Sequence, residues 1–288
     1  MNTNRDLEEF SPSLEPAAFD WYRATVKHRF WKTHVSPALL KAFPDAVGEE
    51  VKPLYGYERA VALMVDGDRV ATVMTGGNAE TAFIEGSGFY SARVRDALLS
   101  SGAPFRPSRM DACLDYDEVG LADALFDFGL WYANQNGLKI NQVGDWHNGK
   151  GRTLYIGSRS SPVYMRIYEK GHKAIADGDE NASPHWVRVE IEVKPDKKRR
   201  EAFCELEASD LFRCGWVADF MAALFVKEIA RVPVGYQRSQ TTVARQRRWL
   251  VKNGRRIIAK WLQDFDTPEQ WGRAVAELIE EVSADDCE

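Results

Sequence analysis

The run "TLYIGSRSSPVYMRIYEKG", Thr153 to Gly171, pairs two apolar-alternating segments across a polar turn. On an extended chain residues two apart share a face, so "VYMRIYEK" divides cleanly. Val163, Met165 and Ile167 fall on one side, and Tyr164, Arg166, Tyr168 and Lys170 on the other. Between the two apolar runs, Ser160, Ser161 and Pro162 supply turn chemistry. The stretch therefore reads as a hairpin with one core face and one face of phenol and cation.

The same division recurs on either side of it. In "RMDACLDYD" Met110, Ala112 and Leu114 oppose Arg109, Asp111, Cys113 and Asp115; in "WVRVEIEVK" Val187, Val189, Ile191 and Val193 oppose Arg188, Glu190, Glu192 and Lys194. Further strand-like runs are "RAVALMVDGDRVATVMTG", with a turn at Asp66–Asp68, and "FIEGSGF", while "SARVRDALLSSG" and "EVGLADALFDFGLWYANQNG" have helical periodicity. Strands and helices in this order predict an α+β fold: a mostly antiparallel sheet with helices on one side. The last eighty or so residues read as helical, so residues 1–205 are expected to form an α+β domain and residues 206–288 a helical region.

The chain has 288 residues, 44% of them hydrophobic, enough for a sizeable core. Its start, "MNTNRDLEEF", is polar and acidic, and runs such as "FMAALFV" are too short to span a bilayer, so a cytoplasmic protein without membrane partners is expected. Cys113, Cys204, Cys214 and Cys287 have neither metal-knuckle nor disulfide-framework spacing. A net charge of −5 excludes a uniformly basic coat, yet charge is sorted along the chain. Residues 231–260 hold nine Lys or Arg and no acid, and residues 264–288 hold nine acids against Arg273 alone. Arg245, Arg247, Arg248, Arg255 and Arg256 in that block, with Trp249 and Trp261 between helical apolar positions, suit a surface that tracks DNA phosphates.

Asp111, Asp115, Glu190 and Glu192 on one sheet face repel unless cations intervene, and a divalent metal with hard oxygen ligands is one solution. The plainer alternative is a solvated face of surface ion pairs, each worth about 0–1 kcal/mol. Tyrosine beside such carboxylates is a set of parts for phosphoryl transfer.

These strings, with "FDWYRATV" near the start, resemble the replication initiation factor (Rep_trans) family of rolling-circle initiators from plasmids and filamentous phages. The resemblance runs from Phe19 to Lys194 and is strongest over Thr153 to Lys194. It implies an HUH-like nickase fold in which carboxylates replace the usual histidines, and the chain indeed has no His-x-His pair. It implies site-specific nicking of single-stranded or cruciform origin DNA by a tyrosine, with Mg²⁺ or Mn²⁺, in a bacterial host. It further implies host helicase and polymerase as partners, and a homodimer.

On this reading Tyr168 is the nucleophile, giving a 5′-phosphotyrosine and a 3′-hydroxyl that primes synthesis and allows rejoining. A free phenol lies about three pH units from ionisation at neutrality, roughly 4 kcal/mol, so Arg166 and Lys170 are expected to assist. Asp111 and Glu190, with Asp115 or Glu192, are expected to hold the metal, and Arg159, Ser160 and Arg188 to contact DNA. Tyr164 is the rival nucleophile. "GDWHNGKGRT" contains GxxxxGK but has Gly151 where Ser or Thr should stand and is followed by a strand, so it is no phosphate loop. Three other readings remain open: a conjugative relaxase, a non-catalytic origin-binding or repressor protein, and a water-using metal phosphodiesterase.

Overall fold

The computed structural model describes residues 16–77, 80–225, 231–234 and 259–285. Ten strands form one sheet: β1 (Ala18–Lys27), β2 (Val47–Glu50), β3 (Arg59–Val65), β4 (Asp68–Thr75), β5 (Thr81–Ser87), β6 (Phe105–Asp117), β7 (Ile140–Asp145), β8 (Lys150–Gly157), β9 (Val163–Glu169) and β10 (Trp186–Val193). Their order across the sheet is β2-β3-β4-β5-β1-β6-β10-β9-β8-β7. Every pairing is antiparallel. The expected α+β class is borne out.

Among the described residues the α-helices of seven or more residues are α1 (Ser36–Ala42), α2 (Ser91–Ser100), α3 (Leu121–Gln135), α4 (Lys170–Ala176), α5 (Val217–Phe225) and α6 (Pro268–Asp285). The apolar residues that alternation assigns to β6, β8, β9 and β10 are all buried, in one cluster with Phe126 and Phe128 of α3 and Phe220 and Met221 of α5. Phe128 and Phe220 meet edge to face, their ring centroids 5.1 Å apart. The opposite face of these strands is left for the charged residues.

Two features differ from the sequence expectation. The strand "AFDWYRATVK" lies at the centre of the sheet between β5 and β6, where alternation alone does not reveal it, because the register shifts between Phe19 and Trp21 and again between Arg23 and Ala24. The chain also divides later than the composition suggests, into Met1–Gln237 and Arg238–Glu288. Phe203, Leu211, Phe212, Val217 and Phe220 belong to the sheet's own core, which ties this stretch to the first unit.

In the second unit Thr267 caps α6. Its Oγ1 accepts from the Gln270 amide at 3.3 Å, and Gln270 Oε1 accepts from the Thr267 amide at 3.2 Å. Trp261 packs edge to face on Trp271, 5.9 Å between centroids. Residues 235–258 of the basic block, Arg245, Arg247, Arg248, Arg255 and Arg256 among them, lie outside the described residues. Among the described residues no helix is long and apolar enough to cross a membrane.

If α5 is part of the sheet's core, Phe220→Ala should destabilise the unfolding transition of the whole first unit by about 3–5 kcal/mol. Urea denaturation followed by tryptophan fluorescence measures this. A loss under about 1 kcal/mol would place α5 outside that core.

Candidate functional site

Register brings three strands' polar residues onto one surface. Across β6 and β10, Glu192 stands opposite Asp111, Glu190 opposite Cys113, and Arg188 opposite Asp115. Across β10 and β9, Glu192 stands opposite Tyr164, Glu190 opposite Arg166, and Arg188 opposite Tyr168. The face predicted from alternation is therefore one continuous face.

Each acid on it is held by a cation. Arg109 grips Asp111 with two hydrogen bonds, Nε to Oδ1 at 2.9 Å and Nη2 to Oδ2 at 2.5 Å, and reaches Glu192 Oε2 at 3.0 Å. Arg166 is paired with Glu190 Oε1, and Lys194 with Glu192. Arg188 forks onto Asp115, both contacts 2.7 Å, and donates to Asp20 Oδ1 at 2.9 Å. Asp115 also accepts from the Trp186 indole at 2.8 Å. Trp21 closes the lower edge, with the Arg109 guanidinium 4.9 Å from its ring.

Burial under these side chains is deep: Asp111 and Glu190 are each 1% exposed. Burial pushes the Asp111 carboxyl up to about 6, and the neighbouring Glu192 and Glu190 charges add to that, against the downward pull of Arg109. The Glu190 carboxyl is raised too, chiefly by burial, with Arg166 opposing.

Tyr168 sits at the edge of this network. Its hydroxyl donates to Glu190 Oε2 at 3.3 Å, while Arg166 occupies the other oxygen of the same carboxylate. Burial first, and the Glu190 charge second, hold the phenol well above its ordinary range. The Arg166 guanidinium carbon lies 5.9 Å from the Tyr168 ring.

The expected site residues fare unequally. Lys170 does not continue the strand, as alternation suggested: β9 ends at Glu169 and Lys170 opens α4. Just past the bend the chain runs so close to the Ser183 carbonyl oxygen that a Cβ at position 171 would stand 1.8 Å from it, so glycine is required there. The Lys170 ammonium lies 5.6 Å from the Trp186 ring, and burial lowers its pKa. Arg188, expected to contact DNA, has its side chain 11% exposed and committed to Asp20 and Asp115. Arg159 and Ser160 stand exposed in the β8–β9 turn, where the Arg159 carbonyl accepts from Lys194 Nζ at 2.7 Å. Arg109, Asp20 and Trp186 take part in the network without having been singled out. Arg109 could have been found, since it lies two residues before Asp111 on the same face.

Among the described residues no group of three or more His, Cys, Asp or Glu is arranged to share a metal ion. Of the two acids expected to join Asp111 and Glu190, Asp115 is taken by Arg188 and Trp186. Asp111 and Glu192 do share one cation already, the Arg109 guanidinium, and an all-carboxylate pair is donor chemistry that suits a hard divalent ion.

Comparison with known proteins bears out the family resemblance. The family model of the replication initiation factors matches residues 129–269. A "Replication initiation protein" of Staphylococcus aureus is 33% identical over 90 residues, which is 31% of this chain and 26% of that relative's length. The solved rolling circle replication initiator protein of Geobacillus stearothermophilus aligns at 18% identity and a TM-score of 0.49, covering 81% of this chain and 91% of that one.

The raised Asp111 carboxyl has a sign that can be checked. The group binds its proton more tightly folded (about 6) than unfolded (3.8), so its contribution to stability falls as pH rises from about 4 through 6. The difference in unfolding free energy between wild type and Asp111→Asn should therefore move against the wild type by about 2 kcal/mol across that window. At a pH of about 7.5, above the raised value, millimolar Mn²⁺ should raise the wild-type Tm more than that of Asp111→Asn. Equal shifts would remove Asp111 from any metal site.

Proposed function

We propose that this chain, whose residues 129–269 match the replication initiation factors, opens one strand of its replicon's origin DNA through a covalent bond to Tyr168. The observation that carries the reading is the hydrogen bond from the Tyr168 hydroxyl to a buried carboxylate, Glu190, whose second oxygen is fixed by Arg166. A nucleophile, a group to take its proton and a cation to face a phosphate stand together on one rigid sheet face.

The chemistry follows from the phenol's raised pKa. Tyr168 reacts as it loses its proton, so the proton must have a destination already in contact, and Glu190 supplies one. Burial makes that carboxylate a stronger base than a solvated one. The Tyr168 oxygen forms a bond to phosphorus, the bond from phosphorus to the 3′ oxygen breaks, and the departing oxygen takes a proton to become a 3′-hydroxyl. The product is a 5′-phosphotyrosine. Because the phosphoester is stored on the protein, a 3′-hydroxyl can reverse the step without ATP.

Asp111 and Glu192, which share the Arg109 guanidinium, are the residues that would hold Mg²⁺ or Mn²⁺. When bound, such an ion supplies positive charge to phosphate oxygens. Arg166 and Arg109, each already paired with a carboxylate, add positive charge around that position. Arg159 and Ser160 present the turn toward the strand. The C-terminal arginines Arg245, Arg247, Arg248, Arg255 and Arg256 supply sequence-independent phosphate contacts.

Incubating the full chain with single-stranded origin DNA and Mn²⁺, then digesting with protease, should leave an oligonucleotide linked to Tyr168 and detectable by mass. Tyr168→Phe should abolish the adduct, Tyr164→Phe should retain it, and Glu190→Gln should slow its formation about 100-fold. An adduct in Tyr168→Phe overturns the choice of nucleophile. Intact bound DNA would favour origin binding without catalysis, and cleavage without an adduct would favour attack by water.

A further inference from the structure

Beside Tyr168 the same face carries a second constellation that bond breaking does not use. Tyr155 of β8 and Tyr164 of β9 lie nearly parallel, with ring centroids 5.7 Å apart and planes at 11°. Their pairing is diagonal: Tyr155 stands opposite Arg166 on one neighbouring strand and Asn141 on the other, while Tyr164 stands opposite Gly157. Arg159 leans across both rings, its guanidinium carbon 6.0 Å from Tyr155 and 5.9 Å from Tyr164. Tyr164 is 9% exposed, Tyr155 is half-buried, and Asn141 and Arg159 are exposed.

Next to the rings is a cavity of about 70 Å³ lined by Arg109, Arg159, Tyr164, Arg166, Glu190 and Glu192. That is room for about two water-sized groups, enough for phosphate oxygens and too little for a base. Arg109 and Arg166 are committed to carboxylates. Arg159 has no carboxylate within ion-pair distance among the described residues; it hydrogen-bonds Tyr164 and lies beside the two rings.

We propose that Tyr155, Arg159 and the Arg159 side of this cavity, whose lining also holds Glu190 and Glu192, form a single-nucleotide subsite for the residue adjoining the scissile phosphate. The base stacks on the outer Tyr155 ring, within reach of the Asn141 amide, and the phosphate enters the cavity against Arg159. Tyr155 is level with Arg166, and Arg166 and Tyr168 are two residues apart on β9, about 7 Å along the strand. One nucleotide of an extended chain can span that distance. An aromatic platform with an arginine beside it is how single strands are held without reading sequence, and an exposed amide adds a hydrogen-bonding edge. The inference rests on the DNA-nicking reading for its ligand class, but not on Tyr168 as nucleophile.

The test uses the full chain with a fluorescein-labelled thymidine octanucleotide, read by anisotropy at several salt concentrations. Tyr168→Phe serves as background so that binding is measured without cleavage. Tyr155→Leu should weaken binding about 10-fold with an unchanged salt slope, and Tyr155→Phe should stay within about twofold. Arg159→Ala should weaken binding and flatten the slope of log affinity against log salt by about 0.7. The subsite is overturned if the background protein does not bind the octanucleotide, if Tyr155→Leu binds as well as Tyr155→Phe, or if Arg159→Ala leaves the slope unchanged. Failure of the covalent adduct alongside these binding losses would remove the nicking reading and leave the subsite standing.

Discussion

The structure of this face depends on guanidinium groups standing between carboxylates that have been taken almost entirely out of water. Asp111 and Glu190 are both nearly inaccessible, and burying a carboxylate without a partner costs several kcal/mol. Arg109 and Arg166 make the burial possible, each anchored on the strand adjoining or carrying its acid. Such pairs add little net stability over a well-packed apolar face, whereas losing one partner typically costs about 3–5 kcal/mol. An arrangement that contributes so little to folding and is so costly to break is better explained by what it holds in place. Here that is a phenol, Tyr168, bonded to one of the two buried acids.

Antiparallel register turns this chemistry into geometry. Because β10 lies between β6 and β9, its acids meet Arg109 and Asp111 from one side and Arg166, Tyr168 and Tyr164 from the other. A slip of one residue in β10 would send Glu190 and Glu192 into the cluster formed with α3 and α5, so the apolar alternation that builds the core also aligns the site. Fold and chemistry are specified by the same periodicity.

That periodicity explains what could be read from the sequence. β6, β9 and β10 alternate strictly, and their two faces emerged with the right residues on each. β1 has shifts in register, and its central place was invisible to any rule based on period two. The first unit's late boundary was hidden because composition changes near residue 200 while the apolar run at Phe220 and Met221 remains in the sheet's core. Alternation continues through Lys170, but the strand ends at Glu169 and the chain enters α4 with Gly171 packed against the Ser183 carbonyl. The acids were counted correctly, yet a count does not say which cation sits beside each. Arg109 claims Asp111 from two positions away on the same strand, whereas Arg166 and Arg188 claim Glu190 and Asp115 from neighbouring strands.

The Tyr168 phenol and the Glu190 carboxylate share one proton-bearing contact. Titrating ¹³C-labelled tyrosines by NMR tests it directly. Tyr168 should ionise well above the ordinary phenol value of about 10, and Glu190→Gln should lower its midpoint by removing the neighbouring negative charge. A Tyr168 resonance that titrates normally, or does not respond to Glu190→Gln, would contradict the account.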